Sequence, residues 1–242
     1  QTYTVVLTSQ PFPGETVTIS TSGYSATWIS VSAATLTFDA TNWNVPQTVT
    51  VTAVDNFLDD DTRTTTIADG VAGSDPLTRY GDGTVTAASV VVTVLDDDNA
   101  GVVVNATALT VTENGPAQTY TVVLSSQPFP GETVTISTSG YSAAWITVSA
   151  ATLTFDATNW NVPQTVTVTA VDNFLDDDTR TTTIADGVAG SDPLTRYGDG
   201  TVTAASVVVT VMDDDNAGVV VNPTALTVTE NGPAQTYTVV LS

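Results

Sequence analysis

Residues 152–172 read TLTFDATNWNVPQTVTVTAVD, and the same letters stand at residues 35–55. From Gln164 onward Thr and Val alternate strictly, a period of two that puts Val on one face of a strand and Thr on the other. Pro163 sits just before this run, where a proline is tolerated at the start of a strand. Thr152 to Phe155 is a second short alternating run. No stretch of the chain carries apolar residues at helical spacing, so the reading is all-β.

Working outward, the alternation recurs. Gln118 to Ser125 puts Tyr120, Val122 and Leu124 on one face. Glu132 to Ser137 does the same with Val134 and Ile136, and Gly200 to Met212 with Val207, Val209 and Val211. Gly101 to Thr112 reads as strand, as do Trp145 to Val148 and Thr179 to Ile184. Clusters of Gly and Pro separate these runs (127–131 and 187–200). Seven or eight short strands in this length predict an antiparallel Greek-key β-sandwich of the immunoglobulin type. Trp145 and Trp160, with Trp28 and Trp43, read first as core and second as stacking platforms for a sugar.

Residues 118–234 repeat residues 1–117 with five differences: Thr8/Ser125, Thr27/Ala144, Ser30/Thr147, Leu95/Met212 and Ala106/Pro223. A repeat of domain size reads as beads on a string. A second identical site in series adds little to an enzyme, whereas a second module adds length or valency. The frame is set by the acidic runs 96–99 and 213–216, each followed by Ala-Gly. The expected modules are therefore 1–99, lacking a first strand; 100–216, complete; and 217–242, the first strands of a third. The chain begins inside a repeat, which is expected of a segment of something longer.

The chain has 242 residues, 26 Asp and Glu against 4 Arg, and no Lys, His or Cys, for a net charge of −22. That charge excludes nucleic acid and anionic membranes as natural partners, and no apolar run is long enough to insert into a bilayer. With 41% hydrophobic residues it can still build cores. Without His, Cys or Lys, no enzyme is expected. The carboxylates gather in two places per module. One is the loop Asp172, Asn173, Asp176, Asp177, Asp178; the other is the run Asp213, Asp214, Asp215. Glu113 adds a third position in the turn VTENG. Strand counting returns the loop and the run to one pole; Glu113 ends the first strand, at that pole or at the opposite one. Such a group repels itself without a counterion, and hard oxygen ligands with no imidazole or thiolate suit Ca²⁺. The counterparts are Asp55, Asn56, Asp59, Asp60, Asp61 and Asp96, Asp97, Asp98 in the first copy, with Glu230 in the third. Solvated charge runs are the plainer alternative, but they would carry both signs. Asp156, Asp186, Asp192 and Asp199 lie outside the main cluster, and the 186–199 loop is a candidate further site, with Arg180 and Arg196 as structural partners of the acids. The sequon at Asn105 has no counterpart at Asn222, because Pro223 follows, and reads as accidental.

The order VTENG, QTYTVVLSSQP, TLTFDATNWNVPQTVTVTAVDN, LDDD and VVTVMDDD resembles the Calx-beta-like, immunoglobulin-like repeats of large bacterial surface proteins and adhesins. The resemblance implies calcium at one pole, held by Glu113, by Asp172 with Asp176, Asp177 and Asp178, and by Asp213, Asp214 and Asp215. Asn173 departs from it, standing where an acid is common. It also implies an extracellular location, on a bacterial cell surface or in a secreted fibre. The leading expectation is a calcium-stiffened extender whose partners are neighbouring modules or copies of itself. Two others stand beside it. One is a filament subunit in which residues 217–242 complete the first module of the next chain. The other is a glycan-binding adhesin module, with Tyr141 and Tyr197 as candidate contacts for surface glycans.

Overall fold

The computed structural model describes residues 1–241; Ser242, the last residue of the expected segment 217–242, lies outside the described residues. All regular structure is β, as read from the alternation, and no helix is long and apolar enough to cross a membrane. The chain divides into two compact units that meet between Asp98 and Asn99, one residue before the expected boundary.

The second unit is a sandwich of nine strands: β8 (Val102–Asn105), β9 (Ala108–Thr112), β10 (Gln118–Leu124), β11 (Val134–Ser139), β12 (Ile146–Val148), β13 (Thr152–Phe155), β14 (Gln164–Ala170), β15 (Arg180–Gly190) and β16 (Val207–Met212). One sheet runs in the order β12-β14-β10-β8 and the other β13-β11-β15-β16-β9. The alternating residues do what their period requires. Tyr120, Val122, Leu124, Val134, Ile136, Val166, Val168, Val207 and Val209 close one continuous core with Phe155 and Ile184. The intervening Thr residues face out. Each fully buried Val or Ile contributes roughly 1.5–3 kcal/mol over its exposed state.

Two runs differ from their sequence reading. Gly101 to Thr112 is not one strand. Val102–Asn105 pairs antiparallel with β10 in one sheet, and Ala108–Thr112 crosses over to pair parallel with β16 in the other. A period of two is blind to such a crossover, because both halves keep the same alternation. The run expected to end at Ile184 continues to Gly190. Its glycines were read as loop, but they lie opposite β11, where a Cβ at Gly187 would stand 2.8 Å from Ser137 Oγ. They serve close approach of two strands, not a turn.

The first unit holds β1 (Thr2–Val5), β2 (Val17–Ser22), β3 (Ile29–Val31), β4 (Thr35–Phe38), β5 (Gln47–Ala53), β6 (Arg63–Gly73) and β7 (Val90–Val94), in sheets β1-β5-β3 and β4-β2-β6-β7. It has no counterparts of β8 and β9. Its core is accordingly split into two clusters, one around Phe38 and Val49 and one around Ile29, Val51 and Ile67. Beyond the second sandwich, β17 (Val219–Asn222) and β18 (Thr238–Leu241) form an antiparallel hairpin whose residues are all exposed.

Candidate metal centre

β9 ends at Thr112, and Glu113 follows as the chain leaves the sheet; its backbone N–H is still held by the Met212 carbonyl at 2.9 Å. This parallel pairing sets Glu113 beside the acidic end of β16. The turn is made by Asn114 at φ 52°, a left-handed position that Asn tolerates. Glu113 is 1% exposed, so a carboxylate has been buried at the pole.

Its oxygens are engaged. Arg180 Nη2 donates to Oε1 at 2.5 Å, the Asn173 side-chain amide donates to Oε1 at 3.1 Å, and the Asn173 backbone N–H donates to Oε2 at 3.1 Å. Arg180 also pairs with Asp177 at 3.0 Å and lies over the Trp145 ring, 5.6 Å from its centroid. Glu113 therefore fixes both the start of the acidic loop and the start of β15. Asn173, which departs from the resembled pattern, works here as the clamp: its side chain also donates to Asp177 at 3.2 Å and accepts from Leu175 N–H at 2.7 Å.

Acids from the loop and from the terminal run meet, and Glu113 stands with them. Glu113, Asp172, Asp214 and Asp215 each bring an oxygen within 4.8 Å of the others. Asn114 ties two of them, donating to Asp172 at 2.9 Å and Asp214 at 3.3 Å. Phe174 holds φ 77° and its N–H points to Asp215 at 3.3 Å, a left-handed conformation that is costly for a bulky residue. Asp177 N–H donates to Asp213 Oδ2 at 3.2 Å, while Asp213 Oδ1 is buried without any partner. Burial first, then the charges of Asp214, Asp213, Asp172 and Asp176, push the Asp215 carboxyl above the usual range. An orphaned buried carboxylate oxygen beside four converging carboxylates fits a hard divalent cation.

Not every expected ligand joins the group. Asp176 instead accepts the Ala217 N–H at 2.9 Å, and Asp178 is exposed and stands apart from it. In the first unit Asp55, Asp97 and Asp98 converge. Asp60 pairs with Arg63, its N–H donates to Asp96 at 3.1 Å, and Asn56 donates to Asp60 at 3.2 Å. Asp61 lines the same cleft of about 340 Å³. Burial leads, and the neighbouring Asp charges, Asp59 among them, add to it in raising Asp96 and Asp98 above the usual carboxyl range. This group has three converging acids where the second unit has four. Glu230 is exposed and joins no acid group among the described residues.

The candidate further site is not assembled. Asp156, Asp192 and Asp199 each cap a local turn through Thr158, Leu194 and Thr201 backbone N–H groups. Asp186 is 6% exposed and accepts from the Tyr120 hydroxyl at 3.1 Å. Trp145 and Trp160 pack on the core, as their plainer reading held, and so does Tyr141. Tyr197 is buried, with its hydroxyl between Ser126 and Gly101, so it offers no face to a glycan. The sequence reading missed Glu132. It is 4% exposed, accepts from Thr195 Oγ1 and Phe129 N–H, and pins the 191–200 loop from beneath. Its cue was PGE, a turn followed by an acid just ahead of an apolar strand.

No protein-family model matches the chain, and no curated protein matches it. Among solved structures it is similar to the calcium binding domain CBD12 of CALX1.1, 13% identical over 86% of this chain and 92% of that one, with a TM-score of 0.37. It is similar to the apo-form Calx CBD1 domain, 16% identical over 48% of this chain and 98% of that one, TM-score 0.36. It is also similar to domains 4 and 5 of the S-layer protein SbsC, 17% identical over 79% of this chain and 99% of that one, TM-score 0.32.

Proposed function

We propose that the chain is a calcium-stabilised structural segment of an extracellular surface protein, in which tandem sandwiches act as an extender. The observation that carries this reading is the pole of the second unit. Four carboxylates converge within 4.8 Å, and a fifth, Asp213, has a buried oxygen with no partner. Arg180 is the one base there, and it is spent on Glu113 and Asp177. Asp172, Asp214, Asp215 and Glu113 would hold the ion, which supplies charge neutralisation and oxygen coordination.

The link to extension is sequential. Asp97 and Asp98 are the last residues before the second unit, and Asp214 and Asp215 are separated from the next Ala-Gly by Asn216 alone. An ion on these residues fixes the end of the last strand and so the direction in which the chain leaves the module. Without it, like charges in consecutive residues favour an open linker. Exposed sites of few ligands bind calcium with dissociation constants on the order of 10⁻⁴–10⁻³ M, which suits an environment where the ion is millimolar. Small-angle scattering with calcium and with chelator tests the reading: the radius of gyration should rise in chelator. Superimposable profiles contradict it.

A further inference from the structure

We infer that Arg180 is a built-in counter-cation: together with Asn173 it closes the gap between Glu113 and Asp177 to metal, so that calcium at this pole is directed to Glu113, Asp172, Asp214 and Asp215. The inference rests on the calcium reading above and adds to it the residues that decide where an ion is kept out. Two carboxylates border the gap. Glu113 is 1% exposed, and Asp177 lies in the acidic loop ahead of β15. Arg180 Nη2 donates to Glu113 Oε1 at 2.5 Å, and Nη1 donates to Asp177 Oδ2 at 3.0 Å. One guanidinium thus joins both acids through separate nitrogens, a task that suits its planar fork better than a lysine ammonium.

Asn173 completes the closure. Its side-chain nitrogen donates to the same two atoms, Glu113 Oε1 at 3.1 Å and Asp177 Oδ2 at 3.2 Å. The amide is held from its other end, because Leu175 N–H donates to Asn173 Oδ1 at 2.7 Å. Its oxygen therefore points away from the gap, and its N–H groups point in. Glu113 Oε1 and Asp177 Oδ2 each meet two nitrogens, one of them charged. A calcium ion needs six to eight oxygens, and positively polarised hydrogens aimed into the gap repel it.

The guanidinium is held in place from behind. Its carbon lies 5.6 Å from the centre of the Trp145 ring, a cation–π contact that gains strength where water is excluded. Its Nε–H is buried without a partner, a cost that two charge-assisted bonds outweigh. Half of the arrangement recurs in the first unit. Arg63 pairs with Asp60 and lies 5.5 Å over the Trp28 ring, while Asn56 donates to Asp60 at 3.2 Å and accepts from Leu58 N–H at 2.6 Å. The converging acids differ. Among the described residues no base pairs with Asp172, Asp214 or Asp215, and Asn114, which donates to two of them, is an exposed side chain that can turn its oxygen to an ion. The pole is thus divided. The chain's own cation neutralises one half and keeps the 172–178 loop in place without metal; calcium neutralises the other, where the chain leaves the module.

The test compares the whole chain with R180Q, R180K and N173D/R180Q. Bound calcium is counted by native mass spectrometry and titration calorimetry, and melting is followed in calcium and in chelator. In chelator the second unit of R180Q should melt roughly 5 °C or more below the parent. N173D/R180Q places a third carboxylate at the gap and removes the guanidinium. It should melt lower still in chelator, bind one more calcium than the parent, and regain the parent's melting temperature in calcium. R180K keeps a cation there and should bind the parent's number of ions. An unchanged count in N173D/R180Q overturns the proposal, because a purely structural Arg180 would move the melts and leave the count alone. So does a double variant that stays unfolded in calcium, an extra ion in R180K, or chelator melts of R180Q that match the parent. A parent that binds no calcium contradicts the function proposed above; the double variant then still decides this inference, by gaining an ion or by gaining none.

Discussion

The Tyr120 hydroxyl donates to Asp186 across the sandwich at 3.1 Å, and Tyr3 and Asp69 repeat the contact at 3.1 Å in the first unit. It joins the two sheets by a polar bond inside an otherwise apolar layer. Asp186 Oδ2 is buried and has no partner. Burial raises the Asp186 carboxyl above the usual range, and the hydrogen bond from Tyr120 only partly offsets this; Asp69 is raised for the same reason. Tyr3 is pushed up to about 12 by burial and by Asp69.

The consequence for pH is specific. A carboxyl with a raised folded-state pKa binds its proton more tightly when folded. Its contribution to stability is present in full below the unfolded value of about 3.9 and is lost as pH rises through the folded value. Asp186→Asn keeps an acceptor for Tyr120 and removes the titration. Melting curves from pH 4 to 8 should show the variant gaining on the parent as pH rises. Parallel curves would show that Asp186 does not titrate in this window.

Glu113 anchors the pole through Arg180 and Asn173, so its loss should be felt in the absence of any metal. Glu113→Ala leaves Arg180 with Asp177 alone and should cost about 3 kcal/mol, the usual scale for breaking a buried ion pair. Denaturant unfolding in chelator measures it. A loss below about 0.5 kcal/mol would place the contact among surface ion pairs, which carry little stability.

The two sandwiches should not melt together. The second has one continuous core, and the first a divided one. Scanning calorimetry of a dilute sample should resolve two transitions, the lower belonging to the first unit. Phe38→Ala should lower only the first transition, and Phe155→Ala only the second, each by the several kcal/mol expected for a buried Phe. A single transition moved equally by either variant would mean the units unfold as one.

Gly198 sits where a Cβ would lie 1.7 Å from the Asp192 carbonyl oxygen, so the 191–200 loop cannot close over any side chain there. Gly198→Ala should destabilise the second unit by more than about 2 kcal/mol and expose Tyr197 to quenching. An unchanged melt would show that the loop relaxes freely.

Much of this was legible in the letters. The Thr/Val alternation gave the inward faces of β10, β11, β14 and β16 correctly, because each has one buried and one open face. The meeting of the 172–178 loop with the 213–215 run followed from counting the strands between them, whereas the pole at which Glu113 lies was left open by that count. What was hidden has a physical reason in each case. The crossover between β8 and β9 leaves the alternation undisturbed. Gly187 and Gly190 carry the composition of a loop while serving strand packing. Asp176, Asp177 and Asp178 look alike in sequence, and only the fold separates them: Asp176 accepts from Ala217, Asp177 pairs with Arg180 and Asp178 is exposed. Asp186 was placed with a candidate further site and Glu132 given no role, because nothing local announces that Tyr120 and Thr195 will cover them.

The central claim is that the acidic pole binds calcium. Titration calorimetry at physiological salt, on the whole chain and on Asp214→Asn/Asp215→Asn, tests it most directly. The parent should bind with dissociation constants on the order of 10⁻⁴–10⁻³ M. At ten to a hundred times that concentration the second transition should gain roughly 1.4–2.7 kcal/mol, and the double variant should lose that gain while the first unit keeps its own response. No heat, and melts that superimpose with and without 10 mM calcium (roughly the upper end of that affinity range times ten), would contradict the account.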